Sequence, residues 1–130
     1  MPFTPETSKV IFQKIKTIML RHSPPMVITK DDKVNFELIG NKLVPYGAKK
    51  EIIPGMYFSS SVVRKSMISF YFFPLYFNLS EFESLIPTMK KCLKGKTCFH
   101  IKNLSEFNEK ELESLFKKGV KVWEKNGFMQ

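Results

Sequence analysis

The sequence predicts an α+β fold, an antiparallel sheet of about five strands flanked by helices. Apolar residues recur at helical spacing in two long stretches, one around Ile11 and one around Leu115. Between them lie short β-rich runs joined by turn residues. No strand–helix–strand unit repeats, which argues against a parallel sheet. The expected order is α-β-β-β-β-α-α-β-α, in a single domain over residues 1–130.

The first helix opens at Thr4-Pro5-Glu6, where a capping hydroxyl precedes a proline at the first helical position and an acid near the positive end. Ile11, Ile15, Ile18 and Met19 form its apolar stripe, and Ser23-Pro24-Pro25 ends it. Strands are expected over 26–29 and 34–39, with Asp31-Asp32 marking the turn, and residues 40–50 read as a loop. The clearest hairpin pairs 57–63 with 67–73 through Arg64-Lys65-Ser66. Its second run is almost continuously apolar, as a central strand would be.

Ser80-Glu81-Phe82-Glu83 has the pattern of a capping box, so a helix is expected to start there and to break at Pro87. A second helical turn is expected over 88–93, with Met89, Cys92 and Leu93 on one face and Gly95 as its left-handed stop. A strand over 97–101 would then place Phe99 and Ile101 on one side, Cys98 and His100 on the other. The last helix has Asn108 and Glu111 as a cap pair, with Lys117, Lys118, Lys121 and Lys125 toward its negative end. Leu112, Leu115, Phe116, Gly119, Val122 and Trp123 form its apolar face, and Trp123 is expected in the core.

Composition narrows the function classes. A chain of 130 residues with 43% hydrophobic residues, 13 of them Phe, suits one packed domain. No apolar run is long enough to span a membrane, and Met1-Pro2-Phe3-Thr4-Pro5-Glu6 lacks the pattern of a signal peptide, so a cytoplasmic location is expected. The net charge is +9, yet only Arg21 and Arg64 are arginine among 21 basic residues. Base readout favours the planar guanidinium, whereas lysine is a hydrated point charge. Salt-sensitive attraction to polyanions is therefore expected, without sequence-specific nucleic-acid recognition and without a membrane partner.

Catalysis is not expected. Cys98 and His100 share a strand face, but no orienting acid lies near them in sequence. Cys92 reads as a small core residue, and His22, at a helix end, as a partner of the helix dipole. There is no phosphate loop, no dinucleotide glycine pattern and no zinc-ligand spacing, so neither a cofactor nor a metal is expected. The best candidate surface is the basic turn. Lys90, Lys91, Lys94, Lys96 and Lys102, with His100, could attract an anionic ligand or a protein partner, and the same lysines could simply complement a helix end.

The ordered set Ser69-Phe70-Tyr71-Phe72-Phe73-Pro74-Leu75-Tyr76, then Leu93-Lys94-Gly95-Lys96-Thr97-Cys98-Phe99-His100-Ile101-Lys102, then the closing helix over 119–127, resembles the YdhG-like domain family. These are small bacterial cytoplasmic proteins, largely of unknown function, and the resemblance covers the chain from about its first helix to its end. It implies an antiparallel sheet flanked by helices. For some members a frataxin-like iron-chaperone role has been proposed. Such a role uses an acidic ridge along the first helix, because iron ions seek carboxylate oxygens. Here that helix carries Glu6 followed by Lys9, Lys14 and Lys16, so no ligand set carries over. The expectation is a binding module for an unidentified small ligand, with an iron chaperone or a protein-interaction adaptor as alternatives.

Overall fold

The computed structural model describes residues 4–129. Residues 1–3, part of the signal-peptide reading, and residue 130 lie outside them. The helices are α1 (Pro5–Leu20), α2 (Pro74–Phe82) and α3 (Glu109–Lys125). The strands are β1 (Val27–Asp31), β2 (Asn35–Ile39), β3 (Val44–Tyr46), β4 (Glu51–Ile53), β5 (Tyr57–Val63), β6 (Ile68–Phe72), β7 (Leu93–Lys94) and β8 (Cys98–Ile101). Six strands form one sheet in the order β1-β2-β5-β6-β8-β7, every pair antiparallel, and β3 pairs with β4 in a separate ribbon. The fold class is the α+β arrangement expected, with more strands and a different order. Among the described residues, no helix is long and apolar enough to cross a membrane.

Alternation decides what the sheet presents on each side. Phe36 and Leu38 of β2, Ile68, Phe70 and Phe72 of β6, and Phe99 and Ile101 of β8 are all fully buried on one face. The apolar stripes of α1 and α3 cover that face, through Ile11, Ile15 and Met19 from one helix and Leu112, Leu115, Phe116 and Trp123 from the other. A β-bulge where β2 meets β5 turns Phe58 into the same core, edge-on to both Phe72 and Trp123. Ser59 and Ser61 also pair toward Phe36, Leu38, Phe70 and Phe72. Their small side chains leave room for α1, which packs over β5. Gly119 does the same on α3, where a Cβ would lie 2.5 Å from the ring of Phe72.

Several local expectations need correction. Residues 40–50 are not a plain loop, since β3 lies within them and pairs with β4, and Val44 packs into the core. Pro45 masks this strand, because proline is tolerated only at such edges. The second helix of the expected order starts at Pro74, not Ser80, so the Ser80–Glu83 pattern caps nothing. The turn over 88–93 is a short 3₁₀ turn, Met89–Cys92, that runs directly into β7. Gly95, at φ 68°, makes the tight β7–β8 connection and does not stop a helix.

The Asn108–Glu111 cap is half present. Asn108 accepts the Glu111 N–H at 3.0 Å, but the Glu111 carboxylate turns away from the cap. His22 lies half-buried just past the end of α1. It stacks on Phe116 with ring centres 5.4 Å apart, and burial, aided by Arg21 and Lys117, lowers its pKa from 6.5 against a smaller opposing pull from Glu113.

Candidate ligand-binding cleft

The first turns of α1, the β1–β2 turn and the β5–β6 turn meet at one end of the sheet and enclose a cleft of about 620 Å³. Each wall has a local cause. Thr4 caps α1, accepting the Thr7 N–H on Oγ1 at 3.1 Å. Asp32 Oδ1 accepts the N–H groups of Val34 and Asn35, both at 2.8 Å, and this tight turn carries Lys33. The Arg64 N–H donates to Met67 O at 2.8 Å, closing the hairpin turn that carries Lys65.

The cleft floor is apolar, built from Pro5, Phe12 and Val63, with Phe12 only 3% exposed. Its rim is basic: Lys9, Lys33 and Lys65 are exposed and make no ion pair among the described residues. Arg64 also borders the cleft, but its guanidinium donates to Tyr71 Oη at 3.1 Å and Ser69 Oγ at 3.4 Å on the opposite sheet face. Among the described residues no acid lines the cleft; Glu6, in the same turn of α1, is exposed outside it. The positive end of the α1 dipole adds to the potential of the three lysines. A hollow of this size that joins an apolar floor to polar and basic groups around it has a form suited to a small molecule.

The basic turn is dispersed over several partners. Lys90 Nζ pairs with Glu83 at 3.5 Å, and Lys91 is exposed on the same 3₁₀ turn. Lys96 lies with its Nζ 5.2 Å from the centre of the Tyr76 ring, a cation–π contact. The backbone N–H of Lys102 donates to Glu106 Oε1 at 2.7 Å, a contact that does not involve its ammonium group. Lys94 and His100 come onto the second sheet face, where Lys94 pairs with Cys98 and His100 with Ser69.

No family model, characterised protein or solved structure matches the chain. The chemistry must therefore be read from the side chains.

The second sheet face holds Glu37, Ser60, Tyr71 and Cys98 in register across four strands. Burial raises the Cys98 thiol pKa, against smaller opposing effects of the Tyr71 hydrogen bond and Arg64. Cys92, enclosed under the 3₁₀ turn, is pushed up to about 12, chiefly by burial. Neither thiol is activated for attack.

Two acids of α3 are engaged with α1. Lys14 pairs with Glu109 at 2.5 Å and Arg21 with Glu113, tying α1 to α3. Among the described residues no three His, Cys, Asp or Glu side chains converge on a point that could hold a metal.

Sequence reasoning missed Lys9, Lys33 and Lys65 because they come from three separate segments. No local run marks them. The only sequence signal was that two of the three sit in turns beside β-rich runs.

Proposed function

We propose that this chain is a small, non-catalytic binding module of the YdhG-like type, acting in the cytoplasm, and that it takes its ligand in the cleft between α1 and the β5–β6 turn. The observation that carries the reading is the cleft itself: an apolar floor of Pro5, Phe12 and Val63 under a rim with no acid among the described residues. The raised pKa of Cys98 argues against nucleophilic catalysis on the other face. The iron-handling role implied by the family resemblance finds no support, because Glu109 and Glu113 are spent on ion pairs and Glu111 on backbone donors.

The neutral fluorophore N-phenyl-1-naphthylamine tests the cleft without regard to charge. It should bind at one site per chain with enhanced emission. Gln13→Trp, at an exposed helical position bordering the cleft, should obstruct that site without unfolding the protein. Equal binding to both proteins, or no binding to either, would refute the cleft as the site.

A further inference from the structure

We infer that the ligand of this cleft is a small organic anion with an apolar body: a carboxylate, sulfonate or phosphate head on a ring or short chain. This rests on the cleft being the binding site and specifies what enters it. Three features of the cleft favour a molecule with both halves.

The first is the division between floor and rim. A ring or chain laid on Phe12, Pro5 and Val63 removes apolar surface from water on both partners. Inorganic phosphate would leave that floor wet, and a wholly apolar ligand would leave the lysines without a counter-charge.

The second is that the cations are uncommitted. Among the described residues only Lys14, Lys16, Lys30 and Lys90 of the lysines face a carboxylate within 4 Å. Lys9, Lys33 and Lys65 are among the many that do not, and what sets these three apart is that they come from separate elements and border one hollow. An anionic head group in the hollow would be attracted by all three. Lysine ammonium groups suit this role, since a point charge on a flexible stem accommodates carboxylate, sulfonate or phosphate without a fixed fork geometry.

The third is the hydrogen bonding already in place. Thr4 Oγ1 is occupied by Thr7, and the Arg64 guanidinium is turned to Tyr71 and Ser69. Ser8 and Gln13 also line the cleft and, with the lysine ammonium groups, supply the hydrogen-bond donors left for an anionic head.

A matched pair of fluorophores isolates the charge. 8-Anilinonaphthalene-1-sulfonate and N-phenyl-1-naphthylamine share one aromatic body and differ by the sulfonate. The sulfonate should bind about tenfold more tightly to the native protein. That preference should shrink as salt rises from about 0.05 to about 0.5 M, because the rim is exposed to solvent. In Lys33→Glu/Lys65→Glu it should vanish while the neutral dye still binds. Both sites are exposed turn positions, so the fold should persist by circular dichroism; Lys9→Glu alone should give part of the loss.

Equal affinity for the two dyes in the native protein would overturn the anion class and leave the cleft standing. Failure of both dyes would sink the cleft as well. An unchanged preference in both charge variants would place the anion elsewhere and overturn the inference. Deleting residues 1–3 should leave the sulfonate affinity within about a factor of two; a tenfold rise would make the chain's own N-terminus the occupant and overturn the small-molecule reading. Vesicles of phosphatidylglycerol should not co-sediment the protein through these lysines, and sedimentation lost in Lys33→Glu/Lys65→Glu would assign the anion to a lipid surface instead.

Discussion

Glu111 on α3 accepts the backbone N–H of Met89 at 2.9 Å, and the same oxygen accepts that of Thr88 at 3.0 Å. The carboxylate is enclosed, with Glu111 only 8% exposed, and it anchors the start of the 3₁₀ turn that leads into β7. A charged acceptor shared by two N–H groups is stronger than a neutral one. Glu111→Ala should therefore cost about 1–3 kcal/mol, because it leaves these donors without a partner. Glu111→Gln keeps an acceptor oxygen and should cost clearly less. Chemical denaturation of the three proteins checks the order, and equal stabilities would show that this contact contributes nothing.

The same contact shows where sequence reading stops. An asparagine followed three residues later by a glutamate is the local signature of a cap, and Asn108 obeys it. Glu111 answers donors 22 and 23 residues away, which no local pattern encodes. α1, α3 and the β5–β6 hairpin were legible because caps, apolar period and turn chemistry all act within a few residues. The start of α2 was misread because Phe73 offers no capping side chain, while Ser80 and Glu83 mimic a cap inside and just beyond the helix. The two-residue β7 and the proline-bearing β3 are too short for an alternation to register. The cleft was illegible for the reason Glu111 was, since Lys9, Lys33 and Lys65 meet only through tertiary packing.

Trp123 is fully buried and touches Phe58, Phe73, Phe77 and Phe128 ring to ring. Trp123→Ala should cost about 3–5 kcal/mol, much of the total stability of a domain this size. An unchanged thermal midpoint would mean the packing of α3 described above is wrong.

Gly119 offers the opposite test. Alanine normally stabilises a helix over glycine by about 1 kcal/mol. Here its Cβ would press on Phe72 at 2.5 Å, with Phe58 ring atoms at 3.2 Å. Overpacking should win, and Gly119→Ala should be net destabilising by about 1–2 kcal/mol. A gain in stability would show that α3 does not approach the sheet this closely.

His22 predicts a pH dependence. Its folded-state pKa lies below the ordinary 6.5, so the unfolded chain takes up the proton more readily than the folded one. The contribution is complete above 6.5 and is lost as pH falls from 6.5 through the folded-state value. Unfolding free energies measured from about pH 7.5 to about pH 5 should show a fall that is shallower in His22→Gln. The same slope in both proteins would remove His22 as its source.

The central claim is that this molecule binds its ligand at the α1 end of the sheet and not at the basic turn. Backbone amide shifts of the isotopically labelled protein, titrated with 8-anilinonaphthalene-1-sulfonate, test it most directly. The account predicts saturable shifts at Ser8, Lys9, Phe12, Lys33, Val63 and Lys65, with Lys90, Lys91, Lys94, Lys96, His100 and Lys102 unmoved. Shifts confined to those six residues of the basic turn and β8, with the α1 and hairpin amides silent, would contradict it.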